Sequence, residues 1–442
     1  MDSNSLGESR PLVGVVLALP VPGADPLDEL AGLPLALRTV LTLQKEGVAR
    51  IALLVPEGRS DVAARLQGDR RVKIPIEVVP SRTAADGLRA ARGVLSAPFL
   101  IARAEAIVDP AVYRALKASG VGSAAAIVAA CKGEPIGPLL ATSALVDALG
   151  DADLDPTLAR LTGEGAARAM DIGDIGDIGA TWAERATTLE GRRRAFNALF
   201  EACRKPVDGI VARHINRHIS IFISKRIVNT PITPNMMSVV TFLLGIAGAI
   251  SVGLGGYFPM LLGAFLFQWN SILDGVDGEL ARVRFQHSTL GQWLDTVSDD
   301  ASNLLFFVGL IIGSAAFTVP LASGPFPLGR YLGMLGWAGV VAFILATAQY
   351  YAEMIQRGTG DLYAIDWDFD KKPPEGLAGK LLVFWRQVLK KDFAILFFLG
   401  LAVLGVLPLA LFFIGGGSIG TLIAATHRNI KKRRAAALTP GA

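Results

Sequence analysis

Asp274 to Asp299 read "DGVDGELARVRFQHSTLGQWLDTVSD" and follow directly on "MLLGAFLFQWNSIL", Met260 to Leu273, a run apolar enough for a membrane helix. Charged side chains inside a spanning helix are costly and by default face a wet, functional site. Asp274 and Asp277 are three apart, and Asp295 and Asp299 are four apart, so each pair lies on one helix face and the two pairs can face each other. Four converging carboxylates repel unless cations lie between them, and an all-oxygen ligand set favours hard ions, Mg2+ or Mn2+, over zinc. Two such ions a few ångströms apart suit phosphoryl chemistry. Gly275, Gly278 and Ala281 leave one helix nearly bare beside the acids, so a bulky ligand can lie against its backbone, and Arg282 is placed to meet phosphate oxygens.

Outward from this stretch the composition divides. The chain has 442 residues, 52% hydrophobic and 19% charged, too apolar overall for an ordinary soluble protein. Residues 1–190 nevertheless have soluble-type composition. From Met236 onward six apolar segments recur, at about 236–254, 259–281, 291–314, 330–354, 391–406 and 408–427, each near the roughly 20 residues that span a bilayer. The expectation is an N-terminal α/β domain over 1–190, a linker with an amphipathic juxtamembrane helix over 191–235, an all-α six-transmembrane-helix domain over 236–434, and a tail over 435–442. Lys225 and Arg226 precede the first segment; Arg282 and Arg284 follow the second, Arg357, Lys371 and Lys372 the fourth, and Arg428 to Arg434 the sixth. The connections "GLGGYF" and "SAAFTVPLASGPFPL" carry no charge. The positive-inside rule then places both termini and the aspartate end on the cytoplasmic side of a multi-pass inner-membrane protein.

Other function classes recede on the same grounds. The start "MDSNSLGESRPLVGVVLALPVPG" has no basic residue before its apolar run, which Pro20 and Pro22 break, so it reads as a buried strand and not as a signal peptide. Cys131 and Cys203 lie far apart and outside any CxxC spacing, which leaves no disulfide framework and no thiolate metal site. The basic clusters "GRRRAFNALFEACRKP" and "THRNIKKRRAAA" adjoin apolar segments, as expected at an anionic membrane surface, and no nucleic-acid recognition motif accompanies them. In "PVDGIVARHINRHISIFISKRIVNTPITPN" Ile and Phe recur at helical spacing against Arg, His, Asn and Lys, and the prolines end the helix. His214 and His218, four apart but without a third ligand nearby, read as polar-face residues. Gly309 with Gly313, and Gly416 with Gly420, form two GxxxG pairs, both read as close helix packing.

The opening stretch resembles the CDP-alcohol phosphotransferase signature at every fixed position: Asp274, Asp277, Gly278, Ala281, Arg282, Gly291, Asp295 and Asp299, with Gly275 of the usual small type. The similarity runs from about Pro206 to Arg434. "DGIVARHINRHIS" and "TPN" look like the juxtamembrane region of the branch that contains the archaeal di-inositol-phosphate phosphate synthases. The resemblance implies a six-helix fold, a homodimer, and a site open to the cytoplasm where an acceptor hydroxyl attacks the β-phosphorus of a CDP-linked donor and releases CMP. It also implies that Asp274, Asp277 and Asp295 hold two Mg2+ or Mn2+ ions, with Asp299 shared between metal binding and general-base catalysis. Gly275, Gly278, Ala281, Arg282 and Gly291 would form the CDP cradle. Asp300 and Glu279 match no fixed position; Asp300 reads as a neighbour that stays protonated or hydrogen-bonded, and Glu279 as pointing away.

In the N-terminal part "LVGVVLALPV", "ARIALLVP" and "VKIPIEVVP" read as strands and "GLPLALRTVLTLQKEG" as a helix, an alternation that argues a parallel, three-layer α/β fold. The order resembles the start of nucleotidyltransferases that make CDP-activated alcohols. Where such a domain carries a Gly-rich, basic phosphate loop, this chain has "ALPVPGADPLDEL"; Leu33 replaces the expected Lys, and the acidic metal positions are reduced to Glu105 and Ala186. The domain therefore reads as a cytidylyltransferase-like fold without that activity. "DIGDIGDIG", Asp171 to Gly179, is too short for a repeat-built calcium site and reads as a loop.

The resulting expectation is a membrane CDP-alcohol phosphotransferase of phospholipid synthesis, with CDP-diacylglycerol as donor and a polar alcohol or sugar phosphate as acceptor. The alternative is a synthase that uses CDP-inositol to make a soluble phosphodiester. A divalent-cation binding or transport protein is a third reading, which accounts for intramembrane acids but not for the Gly/Ala/Arg pattern. Arg330, Arg386, Lys390 and Lys391 are the cations proposed to meet an anionic acceptor, and each also fits an interfacial anchor.

Overall fold

The computed structural model describes residues 11–95, 98–131, 133–150, 152–174, 181–204, 208–358, 376 and 390–438. Lys371, Lys372, Arg386 and most of the DIGDIGDIG repeat lie outside the described residues. The chain divides into two compact units, 1–203 with 283–285, and 204–282 with 286–442.

The first unit is built on a seven-stranded sheet of β1 (Val13–Leu17), β2 (Arg50–Val55), β3 (Ile76–Pro80), β4 (Phe99–Arg103), β5 (Ala126–Cys131), β6 (Glu134–Ala141) and β7 (Ala167–Asp171), in the order β7-β5-β6-β4-β1-β2-β3. β1 pairs in parallel with β2 and β4, while β6 runs antiparallel to β4 and β5. All five residues of β1, "VGVVL", are buried, as a central parallel strand covered on both faces requires. Separate apolar clusters lie on the two faces of the sheet, one around Leu37, Leu53 and Leu100, the other around Leu54, Leu88 and Phe99. This is the expected three-layer α/β arrangement. α1 (Leu35–Lys45) follows the stretch "ALPVPGADPLDEL", Ala18 to Leu30.

The first unit extends past the expected boundary at 190. α2 (Leu189–Glu201) is capped by Thr188, and its Ala195 packs with Leu35, Ile107 and Ala186. Part of the basic cluster takes part in this packing: Arg194 pairs with Glu184 and Glu190, each at 2.8 Å, and Arg192 pairs with Asp28.

The second unit is helical. A single π-helical turn over Ala212–Asn216 leads into α3 (Arg217–Ile227), which is followed by α4 (Pro234–Gly253), α5 (Tyr257–Val283), α6 (Thr289–Gly313), α7 (Leu328–Arg357), α8 (Lys391–Val403) and α9 (Ala410–Leu438). The expected six spans become four helices long and apolar enough to cross a membrane among the described residues: Pro234–Gly253, Thr289–Gly313, Leu328–Arg357 and Leu407–Lys431. α5 has 27 residues but carries the acids and Arg282 in its last turns, and α8 has only 13 residues. Large apolar side chains such as Leu243, Ile250, Phe258, Trp337 and Phe412 stand exposed on these helices, the pattern of an all-round apolar helix in contact with lipid.

The two GxxxG pairs behave differently. A Cβ at Gly309 or Gly313 would meet the backbone of Ala249 or Val252 on α4 closer than 3.0 Å, so close packing requires glycine there. A Cβ at Gly416 or Gly420 would meet nothing within 4 Å, so the close packing expected at the second pair is not found among the described residues.

Candidate active site

The acids stand where α5 ends and α6 begins. "TPN" starts α4: the Thr233 hydroxyl accepts from the Met236 amide at 3.3 Å, and Pro234 occupies a first-turn position that needs no amide donor. α6 starts in a similar way, with the Ser288 hydroxyl accepting from the Gly291 amide at 2.9 Å. A Cβ on Gly291 would stand 2.9 Å from Ser288 Oγ and 3.1 Å from Asn235 Oδ1, so Gly291 lets the two helix starts come together.

One carboxylate oxygen each from Asp274, Asp277 and Asp295 lies within 4.8 Å of the others. This is a donor set of hard oxygens spaced to share a divalent cation. Asp277 is 5% exposed, and the Ser238 hydroxyl of α4 donates to it at 2.6 Å. Asp299, which lies outside that trio, is paired with Lys391 at the start of α8. Asp300 accepts a hydrogen bond from the Tyr351 hydroxyl at 2.8 Å, and the Tyr351 ring stands edge-on to Trp293 with centroids 5.5 Å apart. A Cβ on Gly278 would lie 3.3 Å from the Arg282 guanidinium, so Gly278 and Arg282 form one surface beside Asp277. Gly275 faces elsewhere, against Arg217 and Ser220 of α3.

One expectation needs correction. Arg330 sits at the start of α7, whereas Tyr351, which touches the acid cluster through Asp300, is 21 residues further along the same helix. At 1.5 Å per residue that is about 30 Å, so Arg330 belongs to the opposite end of the bundle and does not meet an acceptor at this site. Glu279 faces away from the acid trio, as expected, and toward α3. It is 0% exposed and accepts hydrogen bonds from Arg217 at 2.9 Å, Ser220 at 2.7 Å and Ser224 at 2.6 Å. The hint was present in the sequence as Asn216, Ser220 and Ser224, a polar stripe every four residues, but nothing local says which helix it covers. His214 and His218 are both exposed and take no part in the cluster.

In the first unit the positions read as lost metal ligands are closed. Ala186 is buried in an apolar cluster, and its amide donates to the Glu105 carbonyl at 2.8 Å. The Glu105 carboxylate is buried with Arg185 3.7 Å away, and Leu33 is 1% exposed in the core. In the loop after β1, Asp25 takes two hydrogen bonds from Arg59, at 2.8 and 3.2 Å, which hold its carboxyl below the usual range.

Residues 231–359, which take in α4 to α7 and every acid of the cluster, match the sequence profile described as CDP-alcohol phosphatidyltransferase. A bifunctional IPC transferase and DIPP synthase of Rubrobacter xylanophilus is 30% identical over 343 residues, covering 70% of this chain and 77% of that protein. The chain belongs to the CDP-alcohol phosphatidyltransferase family. A relative of the same name from Thermococcus kodakarensis is 40% identical over 121 residues, 27% of each chain, and the chain matches only 24 to 28% of the length of the first three such relatives. Among solved structures, the inositol-1-phosphate CTP transferase from T. maritima is 14% identical, with 41% of this chain and 91% of that one covered and a TM-score of 0.34. The CDP-alcohol phosphatidyltransferase profile ends before α8, so Lys391 lies outside the residues it matches.

Proposed function

We propose that this member of the family transfers a substituted phosphoryl group from a CDP-linked donor to an acceptor hydroxyl, with release of CMP. The observation that carries the reading is the trio of Asp274, Asp277 and Asp295, with oxygens within 4.8 Å, flanked by Gly278 and Arg282. Divalent ions held by that trio would neutralise the donor's diphosphate and the charge developing on the leaving oxygen. Arg282 binds phosphate oxygens. The acceptor oxygen bonds to the β-phosphorus, the bond from that phosphorus to the bridging oxygen breaks, and Asp299 takes the hydroxyl proton. Lys391, paired with Asp299, is the cation proposed to meet the phosphate of an anionic acceptor.

For the donor, CDP-inositol is favoured over the CDP-diacylglycerol first expected. The Rubrobacter alignment of 343 residues is longer than all of 204–442, so likeness to a bifunctional IPC transferase and DIPP synthase reaches into the soluble unit. The soluble unit itself is proposed not to make the donor: Leu33, Ala186 and the Arg185-paired Glu105 leave neither phosphate grip nor metal pair. A separate cytidylyl-transfer reaction would then supply it.

The experiment is CMP release by the full chain in detergent with Mg2+ or Mn2+ and inositol 1-phosphate, offering CDP-inositol or CDP-diacylglycerol, beside Asp299→Asn. Turnover with CDP-inositol alone, lost in the variant, is the expected result. Turnover with CDP-diacylglycerol alone would restore the lipid reading, and pyrophosphate release from CTP and inositol 1-phosphate would overturn the inactive soluble unit.

A further inference from the structure

α3 is amphipathic in the opposite sense to a soluble surface helix. Over the π-helical turn and α3 the buried side is mostly polar, with Asn216, Ser220 and Ser224 beside Ile221, while Ile215 and Phe222 stand outward, Phe222 at 55% exposure. The partner of this polar stripe is α5. Gln268 donates to Asn216 at 3.1 Å, Asn216 donates to Ser271 at 3.4 Å, Ser220 lies against Gly275, and Ser220 and Ser224 both donate to Glu279. The contacts climb both helices together in steps of about one turn. Arg217 closes the seam, donating to Glu279 at 2.9 Å and to Asp208 at 3.0 Å. The start of the segment is fixed as well, since the Asp392 carboxylate accepts from the Ala212 amide at 2.7 Å.

A buried ion pair rarely adds stability over an apolar contact of the same shape, but it is directional, and directional contacts suit the fixing of register. Here the direction matters because Glu279 is two residues from Asp277. Two residues turn a helix by about 200°, so Asp277 and Glu279 leave α5 on nearly opposite sides. Ser238 of α4 holds Asp277 from one side, and Arg217, Ser220 and Ser224 hold Glu279 from the other.

We propose that Glu279 is a positioning residue: clamped by Arg217, Ser220 and Ser224, it fixes the rotation of α5 about its axis and so the direction in which Asp274 and Asp277 present their oxygens. The proposal rests on the reading of Asp274, Asp277 and Asp295 as holders of divalent cations. A carboxylate reaches roughly 6 Å from a helix axis whose Cα radius is about 2.3 Å, so a rotation of about 20° moves it by about 2 Å. Metal–oxygen distances tolerate only about 0.2 Å, so a modest loosening of the clamp disturbs the trio.

The test is Mn2+ binding by the full chain in detergent, read by electron paramagnetic resonance without any donor, for wild type, Glu279→Gln, Arg217→Met, the double variant and Asp277→Asn. Gly339→Ala is the comparator; its Cβ would meet Gly415 at 2.6 Å, so it loosens α7 against α9, away from the acids. Glu279→Gln and Arg217→Met are each expected to weaken Mn2+ binding about tenfold, within the range seen when partners of metal ligands are removed, and the double variant no further. Gly339→Ala is expected to unfold at lower temperature with wild-type Mn2+ affinity. Wild-type affinity in Glu279→Gln, beside a loss in Asp277→Asn, would overturn this proposal alone, as would a fall in affinity that Gly339→Ala shares. Absence of Mn2+ binding by the wild type would overturn the metal reading and this proposal with it. Should Glu279→Gln not fold, Ser224→Ala removes a single hydrogen bond of the clamp and is judged by the same criteria.

Discussion

Gly309→Ala set against Gly416→Ala separates two glycine pairs that look alike in sequence. At Gly309 a new Cβ would press on the backbone of Ala249 closer than 3.0 Å, while at Gly416 it would meet nothing within 4 Å. Both changes gain the same helix propensity, about 1 kcal/mol, so that contribution cancels between them. What remains is the clash. Because the opposing atoms belong to α4 backbone, no rotamer change relieves it, and overpacking of this kind costs about 1–3 kcal/mol. Adding Gly313→Ala brings a second backbone clash, against Val252, and should widen the gap to about 2–6 kcal/mol over the Gly416→Ala, Gly420→Ala pair. Thermal unfolding of the full chain in one detergent, followed by tryptophan fluorescence, gives the ranking directly. Unfolding of Gly309→Ala and Gly416→Ala at the same temperature would refute the reasoning, because the clash with the facing backbone is present only at Gly309.

Ser238→Ala removes the 2.6 Å hydrogen bond to Asp277 and is expected to weaken Mn2+ binding about tenfold without altering helix content, checked by spin-resonance titration and circular dichroism. Lys391→Met should lower kcat/KM for CMP release at least about tenfold with an anionic acceptor, whereas Arg330→Ala, about 30 Å along α7 from the site end, should leave it unchanged. In the first unit Asp69 accepts from Arg71 at 2.7 and 2.8 Å and from the Arg71 amide at 3.0 Å, contacts that hold its carboxyl below the usual range. Its stabilising contribution is therefore complete above the unfolded value, about pH 4, and disappears as pH falls through the lower folded value. Hydrogen exchange of the full chain should show protection around 61–72 falling in acid, and Asp69→Asn should flatten that dependence.

What the sequence alone determined follows from features that are local and periodic. The central strand "VGVVL", the apolar runs of α4, α6 and α7, and the capped starts at Thr233 and Ser288 depend on neighbours a few residues away, and helix geometry alone puts Asp274 with Asp277 on one face. The family signature is legible for the same reason, since its spacings are those of two helix ends. Tertiary structure decided what pairs across elements. The polar stripe Asn216, Ser220, Ser224 gives no sign of its partner until α5 lies beside it, and Glu279 is then found to accept from three side chains, Arg217, Ser220 and Ser224. Asp299 meets Lys391 across 92 residues, Tyr351 meets Asp300, and Arg330 is set apart by the length of its own helix. The two GxxxG pairs were indistinguishable until one backbone was found against α4 and the other against nothing among the described residues. Hydrogen bonds and close contacts act over a few ångströms in space, and separation along the chain does not encode which of those distances will close.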